Sequence, residues 1–190
     1  MSVRTTDSVT PRRGTKPPLL DVAAEVLVGD PAASLAEVAE AAGIGRTTLH
    51  KHYATRDDLI RAVGHRAIDL WEQAVDAADG PDGGLRAMIT AMIPAGPQLA
   101  FIWRTPALDH DKTFIERWDI VAGRCLAVLK RAQERGILAA DVPDWWLTRT
   151  FYSLIYVTAE SVGSGHLAPR DAPDFMLGTF LRGIGSSPAV

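Results

Sequence analysis

The chain has 190 residues, enough for one ordinary domain or a small module joined to a larger one. Hydrophobic residues make up 47% and charged residues 23%, a globular balance that excludes a disordered tail, and a single cysteine, Cys125, excludes disulfide frameworks and multi-cysteine metal sites. The formal net charge of −3 argues against a nucleic-acid partner, which usually meets a basic excess. Resolved along the chain, however, the charge is +3 over 1–16, −5 over 17–42, +3 over 43–66 and −4 over 67–190. Two short basic segments therefore flank an acidic one. The first residues are polar with scattered arginines, unlike a secretory signal, and no uninterrupted apolar run reaches the ~18–20 residues of a membrane span. A cytoplasmic protein without a membrane partner is expected.

Helical periodicity dominates from Pro18 onward. Leu19, Val22, Ala23, Val26 and Leu27 share one face of a first helix, which Gly29-Asp30-Pro31 ends. Ser34 stands three residues before Glu37, the capping-box spacing, and opens a short helix that buries Leu35, Val38 and Ala39. Gly43 breaks it. A third short helix runs from about Gly45 to Tyr53, and Thr55 with Asp58 caps a fourth that carries Leu59, Ile60, Val63, Ala67, Leu70, Trp71 and Val75. Beyond the loop Asp79–Gly84, an apolar helix with Met88, Ile89, Met92 and Ile93 is expected to stop at Pro94. A short piece covers Leu99–Trp103, a long amphipathic helix covers 112–135, a helix opened by Pro143 runs to about Gly163, and Pro173 opens the last one. Short connections favour antiparallel packing, so the fold class is all-α.

Residues 34–53 carry the requirements of a helix-turn-helix. Ala39 is small where two helices cross, Gly43 tolerates positive φ at the turn, and Leu49 anchors the second helix, with Val38 and Ile44 in support. The second helix then exposes Arg46, Thr47, Thr48, Lys51 and His52, where arginine reaches guanine edges and hydroxyls hold phosphates. Arg12, Arg13 and Lys16 form either a solvated tail or an arm that reaches DNA.

The run Val38-Ala39-x3-Gly43-Ile44-x3-Thr48-Leu49-x2-His52-Tyr53-x2-Arg56-x2-Leu59 resembles the N-terminal domain of the tetracycline-repressor (TetR) family over about residues 19–63. The resemblance implies an all-helical homodimer: a basic arm (1–16), a three-helix DNA-binding domain (17–54), and a larger bundle (55–190) that binds a small effector and dimerises through about 144–163 and 173–184. It implies base contacts from Arg46 and Thr47, phosphate contacts from Thr48 and Ser34, base or backbone contacts from Lys51 and His52, and a phosphate clamp at Arg56. His50 stands where the family most often has tyrosine, a shorter donor to the sugar-phosphate backbone. The partners implied are a palindromic double-stranded operator and a small-molecule effector, with no cofactor.

In the bundle, Trp103, Phe114, Trp118, Phe151 and Tyr152 are the candidates for an effector wall suited to a flat or apolar ligand, although aromatic residues at helical spacing also build ordinary core. Glu160 either meets a cationic ligand or, as favoured, an arginine across the dimer interface. Two other readings compete. One is a helical ligand- or partner-binding protein without sequence-specific DNA binding. The other is an enzyme using Asp109-His110-Asp111 or Gly163-Ser164-Gly165-His166, which read equally as a capped loop and a helix end. His50-x-His52 lacks the i, i+4 spacing of a helical metal pair, so no metal site is expected.

Overall fold

The computed structural model describes residues 18–79 and 84–184. Nine α-helices and no strand occur among the described residues: α1 (Leu19–Gly29), α2 (Leu35–Ala41), α3 (Arg46–His52), α4 (Arg56–Asp76), α5 (Leu85–Met92), α6 (Gly96–Trp103), α7 (Lys112–Glu134), α8 (Asp144–Gly163) and α9 (Ala172–Ile184). The expected basic arm lies outside the described residues.

Both capping boxes form. Glu37 N–H donates to Ser34 Oγ at 3.3 Å while Ser34 N–H donates to Glu37 Oε2 at 2.7 Å, and Thr55 and Asp58 repeat the arrangement at α4. These donations hold the Glu37 and Asp58 carboxyls below the usual range, led by the hydrogen bond from Ser34 in one and Thr55 in the other. Gly43 has φ 61°, the left-handed conformation that the turn between α2 and α3 requires.

The hydrophobic core is continuous through the molecule. Leu49, Leu59 and Val63 fill the centre of the N-terminal unit, and Ile68, Trp71, Met88, Leu99, Leu129 and Phe151 continue it into the bundle. α4 runs through both parts.

The apolar helix α5 ends at Met92, in keeping with the stop expected at Pro94, and a 3-10 turn over Ile93–Ala95 then carries the chain directly into α6. The continuous run Leu85–Trp103 is therefore long and apolar enough to span a membrane by composition, with mean hydropathy 1.3, but 56% of it is buried inside the fold. Pro143 precedes α8 rather than lying in its first turn, and α9 begins one residue before Pro173. Asp109 and His110 lie in a 3-10 turn, and Asp111 caps α7 through Phe114 N–H at 3.0 Å. This is the capped loop rather than an acid–base pair.

The crossing of α6 and α8 depends on glycine. A Cβ added at Gly96 would sit 2.2 Å from Ala159 Cβ, a rigid obstacle. Gly96→Ala is expected to cost about 1–3 kcal/mol by overpacking, and Ala159→Gly in the same chain should return part of it. Denaturant melts of the two single variants and the double variant measure this coupling, and strict additivity would refute the contact.

Asp111 provides a pH test. Its carboxyl is held below the usual value chiefly by the Phe114 N–H donation, with further help from His65 at 3.5 Å. A depressed folded pKa stabilises above the unfolded value near 3.8 and is lost as pH falls through the folded value. Asp111→Ala should therefore cost about 1 kcal/mol at pH 7, with the gap to the parent narrowing in melts below about pH 3.5.

Candidate DNA-binding face and effector groove

α3 is seven residues long and is held by one buried side chain, Leu49. The rest of the helix therefore faces solvent. Arg46, Thr47, Thr48, His50, Lys51 and His52 are exposed, and none of these side chains has a hydrogen bond or ion pair within the described residues. His52 meets only the ring of Tyr53, at 6.4 Å between centroids, and Tyr53 packs against the core as its neighbours require. Ser34 is exposed at the start of α2, with its hydroxyl engaged by Glu37. The face thus presents four basic or imidazole-bearing groups and two threonine hydroxyls free to bond elsewhere.

Arg56 behaves differently. Its Nε donates to the Ala33 carbonyl at 3.2 Å and its Nη2 to the Pro31 carbonyl. The guanidinium is turned back onto the connection between α1 and α2, tying the first turn of α4 to it. Sequence position alone does not reveal this, because both acceptors lie more than 20 residues away in the chain.

The five aromatic candidates separate into two groups. Phe151 is fully buried and packs edge-on against Phe180, with centroids 5.5 Å apart. Phe114 is buried against the His65 ring and beside Gly64 and Leu108. Both are buried among core side chains and line none of the grooves described below. Trp103, Trp118 and Tyr152 instead line a surface groove of about 490 Å³ between α6, α7 and α8, with Trp145, Thr148 and Arg149 on its rim. Trp145, which the sequence reading did not single out, is 68% exposed. Its signal is present in the sequence, since Trp145, Arg149 and Tyr152 share one face of α8 at i, i+4 and i+7.

Beneath the groove, Trp71 packs against two of the rings that line it. Trp71 stands edge-on to Tyr152 at 5.3 Å and to Trp118 at 6.3 Å, and its Nε1 is buried without an acceptor. Tyr152 contacts Cys125, and burial pushes both groups up, the thiol to about 12. Cys125 is therefore a protonated packing residue at neutral pH. A separate hollow of about 500 Å³ lies between α1, α6 and α8 and includes Tyr156 and Glu160. Glu160 is exposed and has no ion pair among the described residues.

No group of three or more metal-binding side chains occurs among the described residues. Ser164 and His166 form a 2.8 Å contact at the end of α8, where Gly165 has φ 76°, so this segment is a helix terminus and not a nucleophile turn.

Comparison with known proteins agrees with this geometry. The sequence profile of the bacterial regulatory proteins, tetR family, matches residues 19–63. The chain is 33% identical over 158 residues to the HTH-type transcriptional repressor LfrR of Mycolicibacterium smegmatis, covering 81% of this chain and 82% of that protein. It is 28% identical to the HTH-type transcriptional regulator NfxB of Pseudomonas aeruginosa, covering 90% and 94%. Among solved structures, the TetR-like regulator LfrR in complex with proflavine superposes with a TM-score of 0.71 at 29% identity, covering 89% of this chain and 95% of that one. The ketosteroid regulator KstR2 of Mycobacterium tuberculosis, at 18% identity and TM-score 0.69, shares the fold. With an exposed recognition helix on a capped helix-turn-helix and a repressor one-third identical over most of both chains, this protein belongs to the tetR family of bacterial transcriptional regulators and is not an enzyme.

Proposed function

We propose that the protein is a homodimeric repressor that binds a palindromic operator in the cytoplasm and releases it when a flat aromatic or apolar effector occupies the groove over Trp103, Trp118 and Tyr152. The observation that carries the DNA-binding part is α3, whose polar side chains are exposed and unengaged while its one apolar residue anchors it. Residues 17–54 act as the DNA-binding domain and 55–190 as the effector and dimerisation domain, with α4 bridging them.

Arg46 and Thr47 approach base edges, Thr48, Ser34 and His50 hold the sugar-phosphate backbone, and Lys51 and His52 add base or phosphate contacts. Arg56 reaches a phosphate only by giving up its two carbonyl acceptors. Two copies of α3 about 34–36 Å apart then read successive major grooves. Dimerisation through α8 and α9 is supported by apolar side chains left on their outer faces, Val157 at 51% and Phe175 at 62% exposed. A second copy covering them removes this surface from water.

For the effector, the relative LfrR was crystallised with proflavine, a planar tricyclic aromatic compound. The groove here offers rings in several orientations, and its size matches that of small-molecule sites, roughly 300–1,000 Å³. An effector that favours one arrangement of α6 and α8 over another lowers operator affinity through that difference.

Selection from a random duplex pool at moderate salt should yield a palindromic site. Against that site, Arg46→Ala should lose about 1–3 kcal/mol of base discrimination, measured by titrating matched and mismatched duplexes. Equal losses on selected and random DNA would sink the assigned role of Arg46, and recovery of no preferred sequence would sink the repressor reading.

Proflavine should quench tryptophan fluorescence of the dimer saturably. Trp118→Ala should weaken that binding about 2–10-fold, the range for one aromatic contact. Unchanged affinity in Trp118→Ala would place the ligand elsewhere.

A further inference from the structure

A small crevice at the joint between the N-terminal unit and the bundle has a composition unlike the rest of the surface. It holds about 170 Å³ and is lined by Leu27 and Pro31 from the α1 side, Arg56 and Ile60 from α4, and residues at the end of α6 that include Arg104 and Ala107 just beyond it. Two arginines therefore line it and no acidic residue does.

Several arginines elsewhere in the fold, chiefly at the contacts between helices, have acidic partners. Arg61 meets Asp58, Arg66 meets Asp21, Arg117 meets Asp69 and Glu72, and Arg124 meets Asp76. Arg56 and Arg104 hold only neutral acceptors. Arg56 donates to the carbonyls of Pro31 and Ala33, and Arg104 donates to Val28 carbonyl at 3.5 Å and Tyr156 hydroxyl at 3.3 Å, both long. Each guanidinium has five N–H donors, so donors remain on both. Two nearby acids are already engaged, Asp58 by Thr55 and Arg61 and Asp30 by Ala32 N–H, while Glu160 shares the neighbouring hollow with Arg104 and is not part of this crevice.

We infer that this crevice binds a small tetrahedral oxyanion, of the phosphate or sulfate class, between the guanidinium groups of Arg56 and Arg104. Two like charges facing one pocket repel each other, and an anion between them replaces that repulsion with charge-assisted hydrogen bonds. The volume suits an ion of ~5 heavy atoms and falls well below a drug-sized ligand site. The bound anion fastens the start of α4 and the connection after α1 to the end of α6, joining the DNA-binding unit to the bundle.

The test is a thermal melt of the full-length dimer in inorganic phosphate against chloride at constant ionic strength. Phosphate should raise the melting temperature saturably, by roughly 3–6 °C at ten times its dissociation constant. Arg104→Gln should remove most of that shift. Ala107→Glu supplies its own carboxylate to the crevice, so it should melt higher than the parent in chloride and lose the phosphate response. The double change Arg46→Gln/Lys51→Gln strips the DNA-facing bases and should keep the response. The inference is overturned if phosphate gives no saturable shift, if the shift survives Arg104→Gln, or if it disappears with the Arg46/Lys51 pair instead. A DNA phosphate filling the crevice is the remaining source of the same chemistry. In that case Arg104→Gln would lower the slope of log operator affinity against log salt by about 0.9, whereas a free ion leaves that slope unchanged.

Discussion

The passage of one 21-residue helix, α4, through both parts of the hydrophobic core is the constraint on which the other elements depend. Its first turns bury Leu59, Ile60 and Val63 in the same core as α1 and Leu49, while Ile68, Trp71, Ala74 and Val75 are buried in the bundle. A helix of this length is stiff along its axis, with every backbone bond internal to it. A displacement of its second half therefore moves the surroundings of Leu49, the residue that anchors the DNA-facing helix. The outer edge of α4 is held by α7, where Arg117, Arg124 and Arg131 recur every seven residues and meet Asp69 with Glu72, Asp76 and Asp79. Such pairs are exposed or half-exposed and individually contribute only ~0.2–1 kcal/mol, so their main effect is to fix the register of the two helices.

The same geometry puts the effector groove and the joint beside each other. Trp103 on the groove wall and Arg104 at the joint are adjacent residues at the end of α6, and Tyr156 of α8 meets both, ring to ring with the first and through its hydroxyl with the second. The Gly96–Ala159 approach leaves α6 little freedom to slide over α8, because packed atoms there have no space to yield. Motion at this end of α6 is therefore better described as a pivot about that crossing than as a translation.

Much of the fold was legible in the sequence because local chemistry decided it. Ser34 with Glu37 and Thr55 with Asp58 are reciprocal hydrogen-bonding pairs within one turn, and Gly43 is needed at its position whatever surrounds it. The exposure of Arg46, Thr47, Thr48, His50, Lys51 and His52 follows from one anchor, Leu49, on a helix of two turns. Features that were not legible are set by distant chain. Periodicity places Phe114 and Phe151 on an inward face, but whether that face meets a cavity or another ring depended on Phe180, Leu108 and His65. Pro94 signals the end of α5, but not that a 3-10 turn leads straight into α6, which depends on apolar residues on both sides sharing one core. Arg56 occupies the position of a phosphate clamp, and its actual acceptors are two carbonyls from a turn that sequence spacing does not bring near it.

The charge distribution gains a structural basis from these pairings. Most bases of the bundle are already matched: Arg86 with Asp174, Lys130 with Asp144, and the three α7 arginines with α4 and the turn that follows it. An arginine that holds a carboxylate contributes little field beyond about a Debye length, ~8–10 Å at physiological salt. Arg46 and Lys51 have no such partner among the described residues, so α3 carries unneutralised positive charge although the chain carries −3 overall. The acidic remainder works in the same direction, since a duplex that approaches the bundle is repelled and one that approaches α3 is not. Net charge is therefore a poor guide to this protein's partners, and the unpaired bases of α3, rather than all the bases, are the ones the proposed DNA-binding reading uses.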